Sequence, residues 1–344
     1  MRSVFTTLAV VGVAACVAVY ALSGSAPESK SLYTMAADDF EFLKYVSKYG
    51  KSYGTKEEFE YRANNFKNVL ELLAVENSKN DNSFTVGVNK FADWSREEYQ
   101  RLLSYKAMPK EFVDTFEGSN VSIPAAVDWR SQGKVNKVKD QGQCGSCWAF
   151  SAIGAMESRF AIKVGTLLSL SEQQLVDCAK GTQWPNSDGC NGGEMYEGID
   201  YAGTKGLELE GDYPYAGVDQ TCQYDAAKAT HAKPVGAHYT RVATNNAEAL
   251  LTAIADGPVS VAIEADTFVF QFYSGGTLNS KNCGTNLDHG VVAVGYGTDS
   301  KGQQYYIVRN SWGASWGVSG YVNIAVVAGA GICGIQMDAV FPLY

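Results

Sequence analysis

Histidine is scarce in this chain: 344 residues contain three, His231, His238 and His289. Any imidazole chemistry must come from one of them. Blocks of lysine or arginine are missing and the formal net charge is −9, so no nucleic-acid partner is expected. Beyond the N-terminus there is no second long apolar run, so the rest of the chain is read as carrying no membrane span. The cysteines lack paired C-x₂-C units at zinc spacing and the histidines are isolated, so no metal and no cofactor is expected. No internal repeat is visible.

What is present is ordinary globular composition, 46% hydrophobic and 19% charged, with length for one large or two modest domains. Arg2, the uncharged run Leu8 to Leu22 and the small residues Ser23, Gly24, Ser25 and Ala26 follow the order of a secretory signal, placed at residues 1–22. The competing reading is an uncleaved anchor, since Val4 to Leu22 approaches the length of a membrane span. Of the eight cysteines, Cys16 falls in the signal. Cys144, Cys147, Cys178, Cys190, Cys222, Cys283 and Cys333 remain. A secretory route favours disulfides, and an odd number leaves one thiol over.

From about Asp38 to Tyr105 the pattern is helical, with few glycines and no cysteine. Phe40, Leu43 and Tyr45–Val46 recur at helical spacing, and a second run from Glu57 to Asn77 carries Phe59, Phe66, Leu70 and Leu73. Thr85 to Asn89 reads as a short strand. Met108 to Ser122 reads as a linker, and its Asn120-Val121-Ser122 is a glycosylation sequon. Past Ile123 glycine rises and all seven retained cysteines appear. Trp148–Val164 and Glu172–Cys178 read as helices, the second capped by Ser171. Val259–Ile263, Gly290–Val294, Tyr305–Val308 and Tyr321–Ile324 read as strands. A helical half (about 130–234) followed by a strand-rich half (about 235–344) predicts an α+β arrangement of two packed lobes, with a substrate cleft between them.

The densest signal is Gln141-Gly-Gln-Cys144-Gly-Ser-Cys147-Trp148-Ala-Phe. A thiol at a helix start feels the positive end of the helix dipole, which favours the attacking thiolate. His289 stands at the mouth of a predicted strand. Asn310 follows another strand and can accept the imidazole N–H. His231 and His238 lie in a polar connecting stretch without an adjacent partner and read as solvated.

These residues resemble the papain family of cysteine proteases. Cys144-Gly-Ser-Cys147-Trp148 is joined in order by Val127-Asp-Trp-Arg130, Ser169-Leu-Ser-Glu-Gln-Gln-Leu-Val-Asp-Cys178, Gly189-Cys-Asn-Gly-Gly193, Asp288-His289 and Asn310-Ser-Trp-Gly313. Upstream, Glu58, Arg62, Phe66, Leu73 and Asn77 resemble the pro-segment helix of cathepsin L-like precursors, with Val69 where the family has Asn; Gly87-x-Asn89-x-Phe91-x-Asp93 is complete. The resemblance implies a papain-like fold, with a helical left lobe and a β-barrel-like right lobe behind a helical pro-domain (residues 23–121). The mature peptidase would span 122–344. It implies a cysteine endopeptidase made as a zymogen, with the pro-segment as intramolecular inhibitor. Cys147 would attack, His289 would move the proton, Asn310 would orient His289, Trp312 would shield that bond, and Gln141 would donate to the oxyanion. It further implies bridges Cys144–Cys190, Cys178–Cys222 and Cys283–Cys333, an extended substrate held at Gly192, Gly193 and Asp288, and a specificity pocket of Met195, Ala262, Leu287, Gly290 and Asp338. The Asp338 carboxylate would then accept Arg or Lys as well as Leu or Phe; the alternative is a solvated surface Asp. Implied partners are protein and peptide substrates and cystatin-type inhibitors, for a monomer in a lysosome-like or vacuole-like compartment or secreted. Two other functions stay open: a thiol–disulfide oxidoreductase, which needs a Cys144–Cys147 bridge, and a non-catalytic binding protein on the same scaffold.

Overall fold

The computed structural model describes residues 37–106, 115–118 and 122–344; the apolar N-terminus and Asn120 lie outside them. The chain divides after Gly50 into two compact units. The described part of the first is one helix, α1 (Ala37–Tyr49). Its buried side chains are Phe42 and Tyr45, whereas Phe40 is 53% and Leu43 40% exposed. The apolar face is therefore rotated from the one the spacing predicts. Phe42, Tyr45 and Tyr49 form a continuous aromatic row along it, and aromatic area outweighs one leucine in choosing the face.

The second unit begins within the stretch expected to be a pro-segment. Helix α2 (Lys56–Asn77) starts at Thr55, whose side chain accepts from the Glu58 N–H. Arg62 on α2 donates to both oxygens of Glu98 at 2.5 and 2.6 Å. Glu98 lies in α3 (Arg96–Gln100), which Ser95 opens with a reciprocal capping box. At the other end of α2, Asn77 exchanges two hydrogen bonds with Val86, clamping β1 (Phe84–Val86). Strand β2 (Thr115–Phe116) follows.

Beyond it come β3 (Val127–Asp128) and the long helix α4 (Cys147–Val164), buried along nearly its whole length and closed by Gly165 at φ 86°. Helix α5 (Glu172–Cys178) is capped by Ser171, which accepts from Gln174 N–H. Helix α6 (Met195–Lys205) packs on α4. A Cβ on Gly198 of α6 would stand 3.0 Å from the Ala152 methyl, so a small residue there sets how close the helices come.

The remaining chain holds β4 (Tyr239–Val242), α7 (Ala247–Asp256), β5 (Val259–Ile263), α8 (Phe268–Gln271), β6 (Tyr273–Leu278), β7 (His289–Thr298), β8 (Gln304–Arg309), β9 (Tyr321–Ala325) and β10 (Ala339–Pro342). The strands form one sheet in the order β1-β6-β9-β8-β7-β5-β10-β4-β2, with β3 beside β7. The pairings are antiparallel except β2–β4 and β6–β9. Helix α4 lies against β7, β5 and β10, so the helical lobe meets the strand-rich lobe along the helix that opens with Cys147. Among the described residues no helix is long and apolar enough to cross a membrane.

Candidate active site

Cys147 is the first residue of α4 and is buried; Ser146 before it makes no side-chain cap bond. The first N–H groups of the helix are thus not taken up by a capping side chain. Among the described cysteines Cys147 alone is unbridged. The other six close as Cys144–Cys190, Cys178–Cys222 and Cys283–Cys333. Cys144 is therefore committed to Cys190, which removes the oxidoreductase reading.

His289 opens β7 opposite Ile263 of β5. Its Nε2 lies 2.8 Å from Asn310 Oδ1, and its ring stacks on Trp312 at 4.7 Å and 30°. The Nδ1 atom is buried without a hydrogen-bond partner. Gly290, next in β7, brings the opposite wall to Cys147: a Cβ there would lie 3.3 Å from the Cys147 carbonyl oxygen and from the Met195 sulfur.

Gln141 is fully buried. Its Nε2 donates to Leu102 O at 3.1 Å and Cys144 O at 3.0 Å, so in the precursor the amide expected at the oxyanion is engaged by a pro-segment carbonyl. Its Oε1 accepts from Ser311 Oγ at 2.6 Å, and Ser311 N–H donates to Asn310 Oδ1 at 2.8 Å. Ser311 thereby ties Gln141 to Asn310, a link the sequence signalled only by its place beside Asn310. Tyr215 donates to Gln141 O at 2.8 Å and lies 2.7 Å from Ser146 Oγ; nothing local in the sequence marked it.

The pro-segment fills the cleft. Ser104 Oγ donates to Gly145 O and stands 3.8 Å from Cys147 Sγ. Gly193 N–H donates to Ser104 O, Lys106 N–H to Gly193 O, and Tyr105 N–H to Asp288 O. A Cβ on Gly192 would strike Ser104 O, and one on Gly193 would lie 2.6 Å from Trp148, so these glycines permit backbone to approach backbone. Tyr105 is buried with Met195, Ala262 and Val340, with Leu287 packed alongside. Phe91, from the Gly87-x-Asn89-x-Phe91-x-Asp93 pattern, packs edge-on to Trp312 at 5.3 Å.

Burial sets the protonation states. The Cys147 thiol is pushed up by desolvation, partly offset by hydrogen bonding from the Gly290 and Ser104 backbone. Desolvation also lowers His289 to about 4, against the pull of Asn310. Burial thus favours thiol and neutral imidazole in the precursor over the thiolate that the helix start alone favours: the covering segment removes the water that stabilises charge. Asp288 is held up to about 7, again by burial.

Asp338 is 7% exposed, which removes the solvated-surface alternative. His238 is not a solvated loop residue either: its Nδ1 lies 3.0 Å from Asp200 Oδ1. His231 keeps a buried Nδ1 without a partner and pairs through its backbone with Leu207. Among the described residues no group of three or more potential ligands could hold a metal.

A free thiol at a helix start, an imidazole anchored on an amide and an upstream chain segment laid against the thiol are the features of a cysteine protease in its precursor form. Residues 123–343 match the papain family cysteine protease model, and residues 42–99 match the cathepsin propeptide inhibitor domain. The chain is 38% identical over 312 residues to fruit bromelain of Ananas comosus, covering 88% of this chain and 85% of that protein. It is 40% identical over 335 residues to cysteine protease XCP2 of Arabidopsis thaliana, covering 94% and 90%. The solved structure of digestive procathepsin L2 from Tenebrio molitor larval midgut superposes with a TM-score of 0.81 at 37% identity, covering 89% of this chain and all of that one. The chain belongs to the papain family: it is the precursor of a cysteine endopeptidase, carrying its own inhibitory pro-segment.

Proposed function

We propose that the mature enzyme cuts peptide bonds through Cys147 and His289. The thiol proton passes to His289 Nδ1 and the thiolate adds to the peptide carbonyl. The resulting oxyanion is held by the Gln141 amide and the Cys147 backbone N–H. The imidazolium then protonates the leaving amine, and water, deprotonated by His289, releases the acyl group. Asn310 keeps the ring in register and Trp312 shields that hydrogen bond. The observation that carries this reading is His289 itself: one nitrogen fixed to Asn310 and the other buried without a partner.

Gly192, Gly193 and Asp288 would hold an extended substrate along its backbone; here Gly193 and Asp288 bond residues 104–106 and Gly192 leaves room for Ser104 O. Met195, Ala262, Leu287, Gly290 and Asp338 would receive the side chain one residue before the scissile one. Residues 1–22 would direct the chain into the secretory pathway, towards a lysosome-like or vacuole-like compartment or out of the cell, without lasting membrane attachment. Residues 23–121 would then be cut away near Asn120 to Ile123, leaving 122–344 as a monomer open to cystatin-type inhibitors; Asn120 would carry a glycan. The bridges support an oxidising route. The test is acid incubation of the purified precursor, N-terminal sequencing, an assay on Phe-Arg reporter peptides and labelling with an epoxide thiol inactivator. Labelling and hydrolysis should both vanish in Cys147→Ala; a matured protein that neither labels nor cleaves is a binding protein on this scaffold.

A further inference from the structure

Tyr105 shows what the specificity pocket accepts. Its backbone is laddered between Asp288 and Gly193, and its side chain is buried in the cluster that holds Met195 and Ala262. Its phenol donates to Asp338 Oδ2 at 2.5 Å. The same carboxylate already faces a cation: Arg241 Nη2 lies 3.1 Å from Asp338 Oδ1 and 3.2 Å from Oδ2. Arg241 belongs to β4 and pairs with Val340 of β10, two residues past Asp338. Sheet register between β4 and β10 sets the two side chains together, with Thr115 of β2 paired to Arg241 from the other side.

A buried carboxylate matched by a guanidinium still has lone pairs to accept a hydroxyl, but no uncompensated charge to draw in a second cation. An arginine or lysine entering here would meet Arg241 as a like charge in a poorly hydrated site. A phenylalanine would fill the apolar walls but forfeit the phenol's hydrogen bond to the carboxylate, leaving Oδ2 with Arg241 as its donor.

We propose that the Asp338–Arg241 pair makes this pocket select tyrosine one residue before the scissile bond, over phenylalanine and over arginine or lysine, with Arg241 the residue that excludes basic side chains. This rests on the protease reading above and names the substrate class of its pocket.

The test uses matured enzyme and three reporter peptides, Tyr-Arg, Phe-Arg and Arg-Arg, each read as kcat/KM. Tyr-Arg should exceed Phe-Arg by about tenfold, the range of a hydrogen bond to a charged group, and Arg-Arg should be slowest. In Asp338→Ala the Tyr-Arg to Phe-Arg ratio should fall to about one. In Arg241→Met the ratio of Arg-Arg to Phe-Arg should rise about tenfold or more, as a bare carboxylate becomes available. Equal rates on Tyr-Arg and Phe-Arg in the wild type, or Arg-Arg matching Phe-Arg there, overturns the proposal, and these wild-type ratios decide it even if a variant fails to fold. Cleavage without the ratios sinks only the pocket assignment; absence of all cleavage and of epoxide labelling sinks the protease reading instead.

Discussion

His289 Nε2 donates to Asn310 Oδ1 at 2.8 Å. Because the Ser311 backbone N–H also donates to that atom, it must be the carbonyl oxygen of the amide, and Nε2 must carry the ring proton. Nδ1 is left as the only basic nitrogen. Asn310→Ala removes the constraint on the ring while sparing both reacting groups. We expect kcat to fall by about 10²-fold, the scale of a misplaced catalytic group, with KM changed far less. Steady-state kinetics on matured enzyme checks this; a loss confined to KM would show that Asn310 acts on binding instead.

Thiol reactivity should separate precursor from product. Burial raises the Cys147 pKa above its ordinary value, so in the precursor the thiolate is scarce at neutral pH. Alkylation of the intact precursor by iodoacetamide should be slow at pH 7 and climb only in the alkaline range. After the pro-segment leaves, water and the imidazolium can stabilise the thiolate, and alkylation should be fast at pH 6. Equal rates at pH 6 before and after processing would contradict the covering role of residues 102–106.

Acid should loosen the precursor only at low pH, because His289 and Asp288 oppose each other above about pH 4. The folded pKa of His289, about 4, lies below the ordinary 6.5. Between those values the uncovered or unfolded chain binds more protons than the covered one, so the stabilisation is complete above pH 6.5 and is lost as pH falls towards 4, by up to about 3 kcal/mol. Glu98, held below its ordinary value first by hydrogen bonding from Arg62, adds loss of the same sign at lower pH. Asp288 opposes both: raised to about 7 by burial, it favours the covered form as pH falls from 7. The upward shift of Asp288 is at least as large as the downward shift of His289, so the Tm of the Cys147→Ala precursor, unable to process itself, should stay nearly level between pH 6.5 and 4 and drop below that, where Glu98 takes up its proton. A steep fall already between pH 6.5 and 4 would show that Asp288 does not offset His289.

Phe91 joins the pro-segment to Trp312, the ring stacked on His289. It is buried, edge-on to Trp312 at 5.3 Å, to Tyr99 at 5.5 Å and to Trp94 at 5.0 Å. Phe91→Ala should destabilise the docked pro-segment by about 3–5 kcal/mol and allow processing at neutral pH. A gel time course at pH 7 reads this directly; a variant as latent as the wild type would assign docking to other contacts.

The sequence made some elements plain and hid others for physical reasons. The start of α4 was legible because a Ser-Cys-Trp step breaks a glycine-rich loop into an apolar run. The strands around His289 were legible because β-branched residues crowd them. Helix α6 escaped notice: Gly198 and Gly203 dilute its helical pattern, yet both are dictated by neighbours, Ala152 against the first and the His238 ring against the second. Helix α7 fell inside a stretch read as strands, although Asn246 caps it by accepting from Ala249 N–H. The site followed the same division. Cys147, His289 and Asn310 stood out as residue types with few competitors. Ser311, Tyr215 and Arg241 act through partners 69 to 170 positions away in the chain, or, for Ser311, also through its immediate neighbour, and no local pattern encodes such partners.

In the strand order, both outermost members, β1 and β2, lie upstream of Ile123. Excising the pro-segment would therefore bare two flanks at once: Tyr273–Leu278 on one side and Tyr239–Val242 on the other would each present a row of backbone donors and acceptors without a neighbour. Opening the cleft and unzipping the sheet margins would be a single event, and the freed enzyme would gain two places, remote from its chemistry, where a foreign strand can attach.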